Sequence, residues 1–314
     1  MDKTLTTWGV RGRSPAGCSA GLFGGEGMDK LGFEWEALFD RQGMTPLDEL
    51  LMQVRKTGIP VGRFGYRTRT IISGPIVEVE IYPIYSRRME NTARRAKKMR
   101  TPEQMERANY AAAIRKVIRL ANANFTENDI HLTLTYAVKP ASYEQAQKDV
   151  RNFLRRVRRL REKRGLEPEK YIYAIEDEED GEKKRIHCHM LLSGGIEREE
   201  LEACWKKGWA NADRLQPDEK GLAAIAKYIT KSQRNRKKWV SSRNLKKPKV
   251  RTSDTKLSNR RVQRLADELP AVGKEILRKA YPECEPVDVD VYRSDVMPGV
   301  FIRAQMKRTK RNGT

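Results

Sequence analysis

Two of the three histidines in this chain lie one residue apart in an apolar segment. His187 and His189 belong to the run IHCHMLL, and in a β-strand residues i and i+2 project from the same face. Two imidazoles side by side can bind one divalent cation. The plainer alternative is a pair of half-buried strand histidines with satisfied hydrogen bonds. Because two of the three histidines lie in this motif, we favour the metal site.

A metal held by two histidines needs a third ligand, and a preceding segment offers a carboxylate. The apolar run YIYAIE ends at Glu176, and a polar stretch joins it to the histidine segment, which is typical of a β-hairpin. We therefore predict Glu176 as the third ligand. The sequence does not give the register of the hairpin, so three neighbouring carboxylates stay open as alternatives: Asp177, Glu178 and Glu179.

A tyrosine further along the chain could react beside such a metal. Tyr228 and Lys231 form a Tyr-x-x-Lys motif within a helix predicted over residues 218–232, with Tyr228 at the flank of its apolar face. An ordinary phenol has a pKa of about 10 and needs a nearby cation to act as a nucleophile at neutral pH. Lys231 would stabilise the phenolate or the charge that develops on the phosphoryl group. Alone, this motif is usually structural; beside the histidine pair it gains weight.

Alternating leucine and threonine predict a third strand, over residues 130–136. Its leucines would face a core, whereas His131, Thr133 and Thr135 would share the other face. Small hydroxyl groups can contact a sugar-phosphate backbone. Thr133 and Thr135 are therefore candidate DNA contacts, although threonine is also an ordinary strand former.

The composition predicts a polyanionic partner. The 314 residues include 64 Lys and Arg against 42 Asp and Glu, a net charge of +22, which favours nucleic acid first and an anionic membrane surface second. No apolar run is long enough to span a membrane, and the first residues lack the apolar core of a signal peptide. The four scattered cysteines indicate neither a disulfide framework nor a four-cysteine zinc site. We expect a soluble intracellular protein.

The order of predicted elements indicates an α+β protein. Between residues 123 and 235, a strand, a helix, a hairpin, a helix, a strand and a helix predict a mainly antiparallel central sheet with helices on one face. Residues 1–122 are expected to form an N-terminal extension with a basic helix, and residues 236–314 a basic, partly folded C-terminal region. The predicted elements are helices over residues 45–56, 101–122, 142–165, 196–208, 218–232 and 260–279, and strands over residues 69–73, 76–85, 130–136, 171–176, 186–193, 212–215, 287–292 and 300–306.

Three motifs, in this order, resemble those of the HUH endonucleases, specifically the rolling-circle replication initiators of plasmids and small phages. The first motif of that family resembles residues 132–136. Its His-hydrophobe-His metal motif matches His187-Cys188-His189, and its Tyr-x-x-Lys nucleophile motif matches residues 228–231. The resemblance covers about residues 125–235 and extends to short flanking stretches at 122–125 and 241–245. It implies a ferredoxin-like or RRM-like antiparallel sheet.

The resemblance also implies a reaction, site-specific nicking of a single-stranded origin. A divalent metal, Mg²⁺ or Mn²⁺, would position the scissile phosphate, with Glu176 as its third ligand. Tyr228 would cleave one strand, leaving a 5′-phosphotyrosyl link and a free 3′-hydroxyl that primes synthesis. Base stacking on Trp239 would add affinity without specificity. The predicted DNA-binding residues are Thr133, Thr135, Tyr136, Lys227 and Arg243.

Partners and alternatives follow from the same motifs. Only one tyrosine occupies the nucleophile motif, so a second strand transfer would require another protomer or water, which is compatible with an oligomer. The sequence contains no P-loop motif, so we expect a host helicase and polymerase as partners, in the cytoplasm of a bacterial host cell. The alternatives are a transposase or relaxase with the same chemistry, and a non-enzymatic basic protein that binds nucleic acid.

Overall fold

The computed structural model describes residues 65–84, 101–179, 182–230, 239–268, 271–293 and 299–309. The predicted helix over 45–56, the basic run at 87–100 and Lys231 lie outside these residues. The strands are β1 (Gly65–Ser73), β2 (Ile76–Ile84), β3 (Ile130–Tyr136), β4 (Tyr171–Glu179), β5 (Glu182–Leu192), β6 (Gly208–Arg214), β7 (Val240–Ser241), β8 (Lys249–Ser253), β9 (Cys284–Arg293) and β10 (Val300–Arg308). The helices are α1 (Pro102–Asn124), α2 (Tyr143–Lys163), α3 (Arg198–Ala203), α4 (Ala223–Ile229), α5 (Asn259–Asp267) and α6 (Ala271–Ala280).

The described strands form two antiparallel sheets of five strands. The histidine sheet has the order β6-β3-β5-β4-β7, and the flanking sheet has the order β8-β1-β2-β10-β9. The predicted α+β class and the predicted antiparallel sheet are confirmed. The hairpin of β4 and β5 is also confirmed, with both strands longer than expected.

One face of the histidine sheet packs against α2. The alternation of β3 buries Leu132 and Leu134 against Val150 and Phe153 of that helix, in a core that contains no charged side chain among its members. Ser142 caps α2, since its hydroxyl accepts a hydrogen bond from the backbone N–H of Gln145 at 3.2 Å. Local patterning therefore specifies both this strand and this helix.

The other face is covered as well, which corrects the expectation of helices on one face only. Ile172, Ala174 and Leu191 are apolar residues of β4 and β5 on the histidine side of the sheet, and α1 and α4 bury them. An exposed apolar patch of this size would be costly in water. The helices therefore lie on both faces of the histidine sheet.

Two predicted element boundaries are wrong near the site. The helix expected over 218–232 is limited to α4, because Gly221 takes a left-handed conformation (φ 70°) in the turn before it. The helix expected over 196–208 ends early, and β6 begins at Gly208 rather than at residue 212. The helix expected over 260–279 is divided into α5 and α6.

The flanking sheet combines strands from both ends of the described chain. Strands β1 and β2 precede α1, whereas β8, β9 and β10 follow the histidine sheet in sequence. A buried ion network joins this sheet to α1. Arg119 contacts Glu78 at 2.9 Å and Glu80 at 3.3 Å, and Arg69 and Arg303 supply two further cations.

We expect the substitution Arg119→Met to lower the free energy of unfolding by about 3–5 kcal/mol, because it leaves two buried carboxylates with fewer cationic partners. Urea unfolding followed by circular dichroism measures this. The matched control is Arg264→Met on α5, whose exposed ion pair with Glu268 should matter little. Equal stability of the two variants would contradict the importance of the buried network.

The same network predicts a pH dependence. Burial by itself raises the pKa of Glu78, but Arg119 and Arg303 outweigh it and hold the pKa below the usual value of 4.5. The folded state therefore gains stability from this carboxylate above about pH 4.5 and loses it as the pH falls through the lowered pKa. A urea midpoint that stays constant between pH 6 and 3 would contradict this.

Candidate metal centre and nucleic-acid face

Strand register places the candidate ligands in neighbouring positions. Glu176 on β4 lies opposite His187 on β5, and His187 lies opposite Thr135 on β3. His189 lies opposite Thr133 in the adjacent pair. Side chains at directly opposed positions share one face and have Cβ atoms about 5 Å apart. The hairpin register therefore selects Glu176 from the four carboxylates that the sequence left open.

The ligand atoms of Glu176, His187 and His189 converge within 4.8 Å of one another. The Glu176 Oε2 atom lies 3.1 Å from His187 Nε2 and 3.7 Å from His189 Nε2. Metal–ligand bonds of about 2.0–2.2 Å separate neighbouring ligand atoms by roughly 3.0–3.5 Å. The three side chains are thus positioned to bind one metal ion.

His189 is suited to bind a metal through Nε2. Burial lowers its pKa to about 4, with His187 and His131 adding to the effect and Glu176 opposing it, so the ring is neutral at pH 7. Its Nε2 atom is buried and, among the described residues, has no hydrogen-bond partner. A buried nitrogen without a partner costs about 1–3 kcal/mol, which a bound cation would offset.

Thr133 orients this ring from the opposite side. Its Oγ1 atom lies 3.2 Å from His189 Nδ1, so the Nδ1–H tautomer can donate to the hydroxyl and leave Nε2 free to face Glu176. A metal-binding histidine commonly has such a partner on its other nitrogen. Thr133, predicted as a DNA contact, therefore acts first on the ligand geometry.

We expect the substitution Thr133→Val to weaken Mn²⁺ binding by about 10- to 100-fold, because it removes this hydrogen bond while nearly keeping the shape of the side chain. Isothermal titration of the purified protein with Mn²⁺ measures the change. Thr135→Val is the matched control, since Thr135 lies on the same face of β3. Equal losses in the two variants would assign the effect to the strand rather than to the hydrogen bond.

Tyr228 lies beside the three ligands. On α4, Ala226 and Ile229 face the core, whereas Tyr228 is 49% exposed. Its ring meets the ring of His189 edge-on, with centroids 4.7 Å apart and an interplanar angle of 64°. A half-exposed phenol next to a candidate metal ligand is available to a substrate from solvent.

The start of α4 is held by a contact that the sequence did not suggest. The backbone N–H of Leu222 donates to Asn122 Oδ1 of α1 at 2.8 Å. A Cβ atom at Gly221 would approach the same oxygen to 2.2 Å, so this position requires glycine. Asn122 and Gly221 thus position the tyrosine helix over the sheet.

His131 lies on the same face but outside the ligand group. Its ring stacks on that of His189 with centroids 5.7 Å apart, and it meets Tyr228 at 6.3 Å. Its Nε2 atom is buried and without a hydrogen-bond partner among the described residues. The alternation of β3 anticipated this placement, which puts a third imidazole beside the candidate nucleophile.

The structure does not bring every predicted DNA contact to this face. Tyr136 is only 2% exposed and lies in the core on the α2 side, where its hydroxyl donates to Asp149 at 3.4 Å. Burial and Asp149 raise its pKa. Its predicted DNA contact is therefore wrong, because position 136 shares the face of Leu132 and Leu134.

The two basic candidates lie in different places. Lys227 is exposed on α4 beside Tyr228. Arg243 is exposed just after β7, which pairs with the Tyr173 end of β4, whereas Glu176 lies further along that strand. Lys227 is thus near the candidate centre, and Arg243 could contact only a more distant part of a bound strand. Trp239 is partly buried against the core beneath α1 and α4.

Comparison with known proteins relates the part of the chain that contains this centre to a protein family. No described helix is both long and apolar enough to cross a membrane. No curated protein and no solved structure gives a significant match. Residues 129–233, about a third of the 314 residues, match the model of a family described as "Replication-associated protein", which links this segment to DNA replication.

Proposed function

We propose that this protein is a metal-dependent, site-specific single-strand DNA endonuclease of the HUH type that initiates rolling-circle replication. The observation behind the proposal is the convergence of Glu176, His187 and His189, with the ring of Tyr228 against His189. The family match over residues 129–233 supports a role in replication. Together these favour a nickase over a protein that only coats DNA.

Glu176, His187 and His189 would hold Mg²⁺ or Mn²⁺. Two nitrogens and one oxygen suit Mn²⁺, and a carboxylate with open positions for water also admits Mg²⁺. A bound cation would act as a Lewis acid on a phosphoryl oxygen of the substrate. The residues fit such an ion because His189 Nε2 is buried, neutral and without a partner among the described residues.

Tyr228 would supply the nucleophile. Its phenolic oxygen forms a bond to the scissile phosphorus while the bond from phosphorus to the 3′ oxygen breaks. The phenol loses one proton and the departing 3′ oxygen gains one, so the products are a 5′-phosphotyrosyl conjugate and a free 3′-hydroxyl. We propose that Lys231 stabilises the negative charge that develops in this step.

The substrate would be single-stranded DNA that crosses the face of the histidine sheet. The net charge of +22 gives phosphate affinity that does not depend on sequence. Lys227 is placed to contact a phosphate near Tyr228, and Thr135 projects beside His187. Strand transfer by a second protomer or by water would complete the cycle, with unwinding and synthesis left to a host helicase and polymerase.

The direct test is a search for the covalent intermediate. The full chain would be incubated with labelled single-stranded DNA from its own replicon and Mn²⁺, and the mixture separated on a denaturing gel. We expect a protein–DNA conjugate that resists denaturation and carries the fragment whose 5′ phosphate was exposed by the nick. A mixture in which the DNA is bound but never becomes covalently attached would contradict the proposal.

A further inference from the structure

An exposed tryptophan shares the face of the candidate metal centre. Trp209 on β6 is 64% exposed, among the largest exposures of any large apolar side chain in the described residues. Its neighbours Ala210 and Ala212 pack into the α2 core, so by strand alternation Trp209 projects from the opposite face. That opposite face is the one that presents His187 and His189.

Strand register puts Trp209 level with the ligands. Trp209 lies opposite Thr135, Thr135 lies opposite His187, and His187 lies opposite Glu176. Neighbouring strands are about 4.8 Å apart, so two strand spacings, roughly 10 Å, separate the backbones at Trp209 and His187. Strand β6 is at the edge of the sheet, and its outer side has no further strand among the described residues.

The backbone before Trp209 is held in place. Gly208 has φ 154°, and a Cβ atom there would lie 2.3 Å from the carbonyl oxygen of Thr135, so only glycine fits. The N–H of Ala137 also donates to the carbonyl of Lys207 at 2.8 Å. These contacts fix the start of β6, so the indole projects from a rigid edge.

Basic side chains precede this indole. Lys206 and Lys207 are both exposed in the turn that leads into β6. Proteins that bind single-stranded DNA combine a basic backbone track with aromatic rings on which bases stack. The segment Lys206–Trp209 offers both parts beside the metal centre.

We propose that Trp209 stacks on a nucleobase of the DNA strand that crosses the metal centre, while Lys206 and Lys207 bind the adjoining backbone phosphates. This inference rests on the proposed function, because it assumes a single-stranded DNA substrate. It adds a base-binding position about two strand spacings from His187, on the side of the sheet away from Glu176. A contact of Trp209 with another protein is the competing explanation for its exposure.

The test compares a probe with bases and a probe without them. In a Tyr228→Phe background, which removes cleavage from the measurement, Trp209→Leu would be titrated with a 20-nucleotide oligothymidine and with an abasic strand of equal length. We expect Trp209→Leu to weaken oligothymidine binding by about 5- to 150-fold, the range for loss of one stacked base. Binding of the abasic strand should stay unchanged.

Two matched variants make the result specific. Trp209→Phe keeps an aromatic face and should retain most of the oligothymidine affinity, whereas leucine keeps only apolar bulk. Val250→Ala, at an exposed position on β8 of the flanking sheet, should leave both affinities unchanged. Thermal melting of each variant separates a folding defect from a binding defect.

Three results would overturn the inference: equal affinity of the parent protein for the two probes, equal losses in the leucine and phenylalanine variants, or equal losses on both probes. None of these bears on the covalent conjugate, so the nickase proposal would remain open to its own test. A chain that binds oligothymidine through Trp209 but forms no conjugate would instead contradict the nickase proposal and keep the stacking position.

Discussion

Tyr228→Phe is expected to abolish the covalent protein–DNA conjugate, with a loss of at least about 10³-fold, because the change removes the only atom of this side chain that can attack phosphorus. Binding of the same DNA should stay nearly intact. The phenyl ring still fills the space beside His189, where the ring contact does not involve the hydroxyl. Conjugate formation on a denaturing gel and affinity by fluorescence anisotropy measure the two quantities separately.

Tyr143→Phe is the matched control for this experiment. Tyr143 begins α2 and packs against the core on the other side of the histidine sheet. That variant should form the conjugate at the rate of the unmodified protein. A conjugate that survives in Tyr228→Phe and disappears in another tyrosine variant would assign the nucleophile to a different residue.

The second large effect is expected for the double substitution His187→Ala with His189→Ala. It removes two of the three converging ligands, so Mn²⁺ binding should weaken by at least about 100-fold and metal-stimulated cleavage should disappear. Isothermal titration with Mn²⁺ reports binding, and conjugate formation with and without chelator reports the reaction. Cleavage by the unmodified protein that is the same in both conditions would rule out a metal role.

Two further variants protect this test against misfolding and against general effects. His189 is almost fully buried, whereas His187 is more exposed, so the single change His187→Ala disturbs the core less and should still weaken Mn²⁺ binding. His131→Asn changes the histidine that stacks on His189 without belonging to the ligand group. We expect it to reduce Mn²⁺ affinity by less than about tenfold, well below the ligand changes.

Local periodicity in the sequence was enough to predict which side chains share a strand face. The spacing of His187 and His189 placed them together, and the alternation of β3 put Thr133 and His131 on that same side. The same rule, applied to Tyr136, would have assigned it to the buried face with Leu134. The error there came from following a family motif rather than the alternation.

Sequence also predicted the elements whose signals are local. The cap at Ser142, the turn at Gly74 between β1 and β2, and the hairpin of β4 and β5 are in the expected places. The helix that ends near Asn124 was predicted from its first residues. Each of these depends on residues that are close together along the chain.

Register and long-range packing were decided only by the tertiary structure. Four neighbouring carboxylates were candidates for the third ligand, and only the pairing of β4 with β5 put Glu176 opposite His187. A shift of one residue would have reversed every side chain of the strand. The sequence pattern was compatible with several registers, so it could not choose among them.

The positions of Tyr228 and Trp209 depend on contacts between distant parts of the chain. Asn122 holds the start of α4, one hundred positions later in sequence, and so brings Tyr228 over His189. The flanking sheet likewise pairs β1 with β8 across the whole histidine sheet. The sequence thus determined the chemical groups and the face on which each strand presents them. Only folding decided their convergence, because burial of apolar surface and strand pairing act between residues that no local pattern connects.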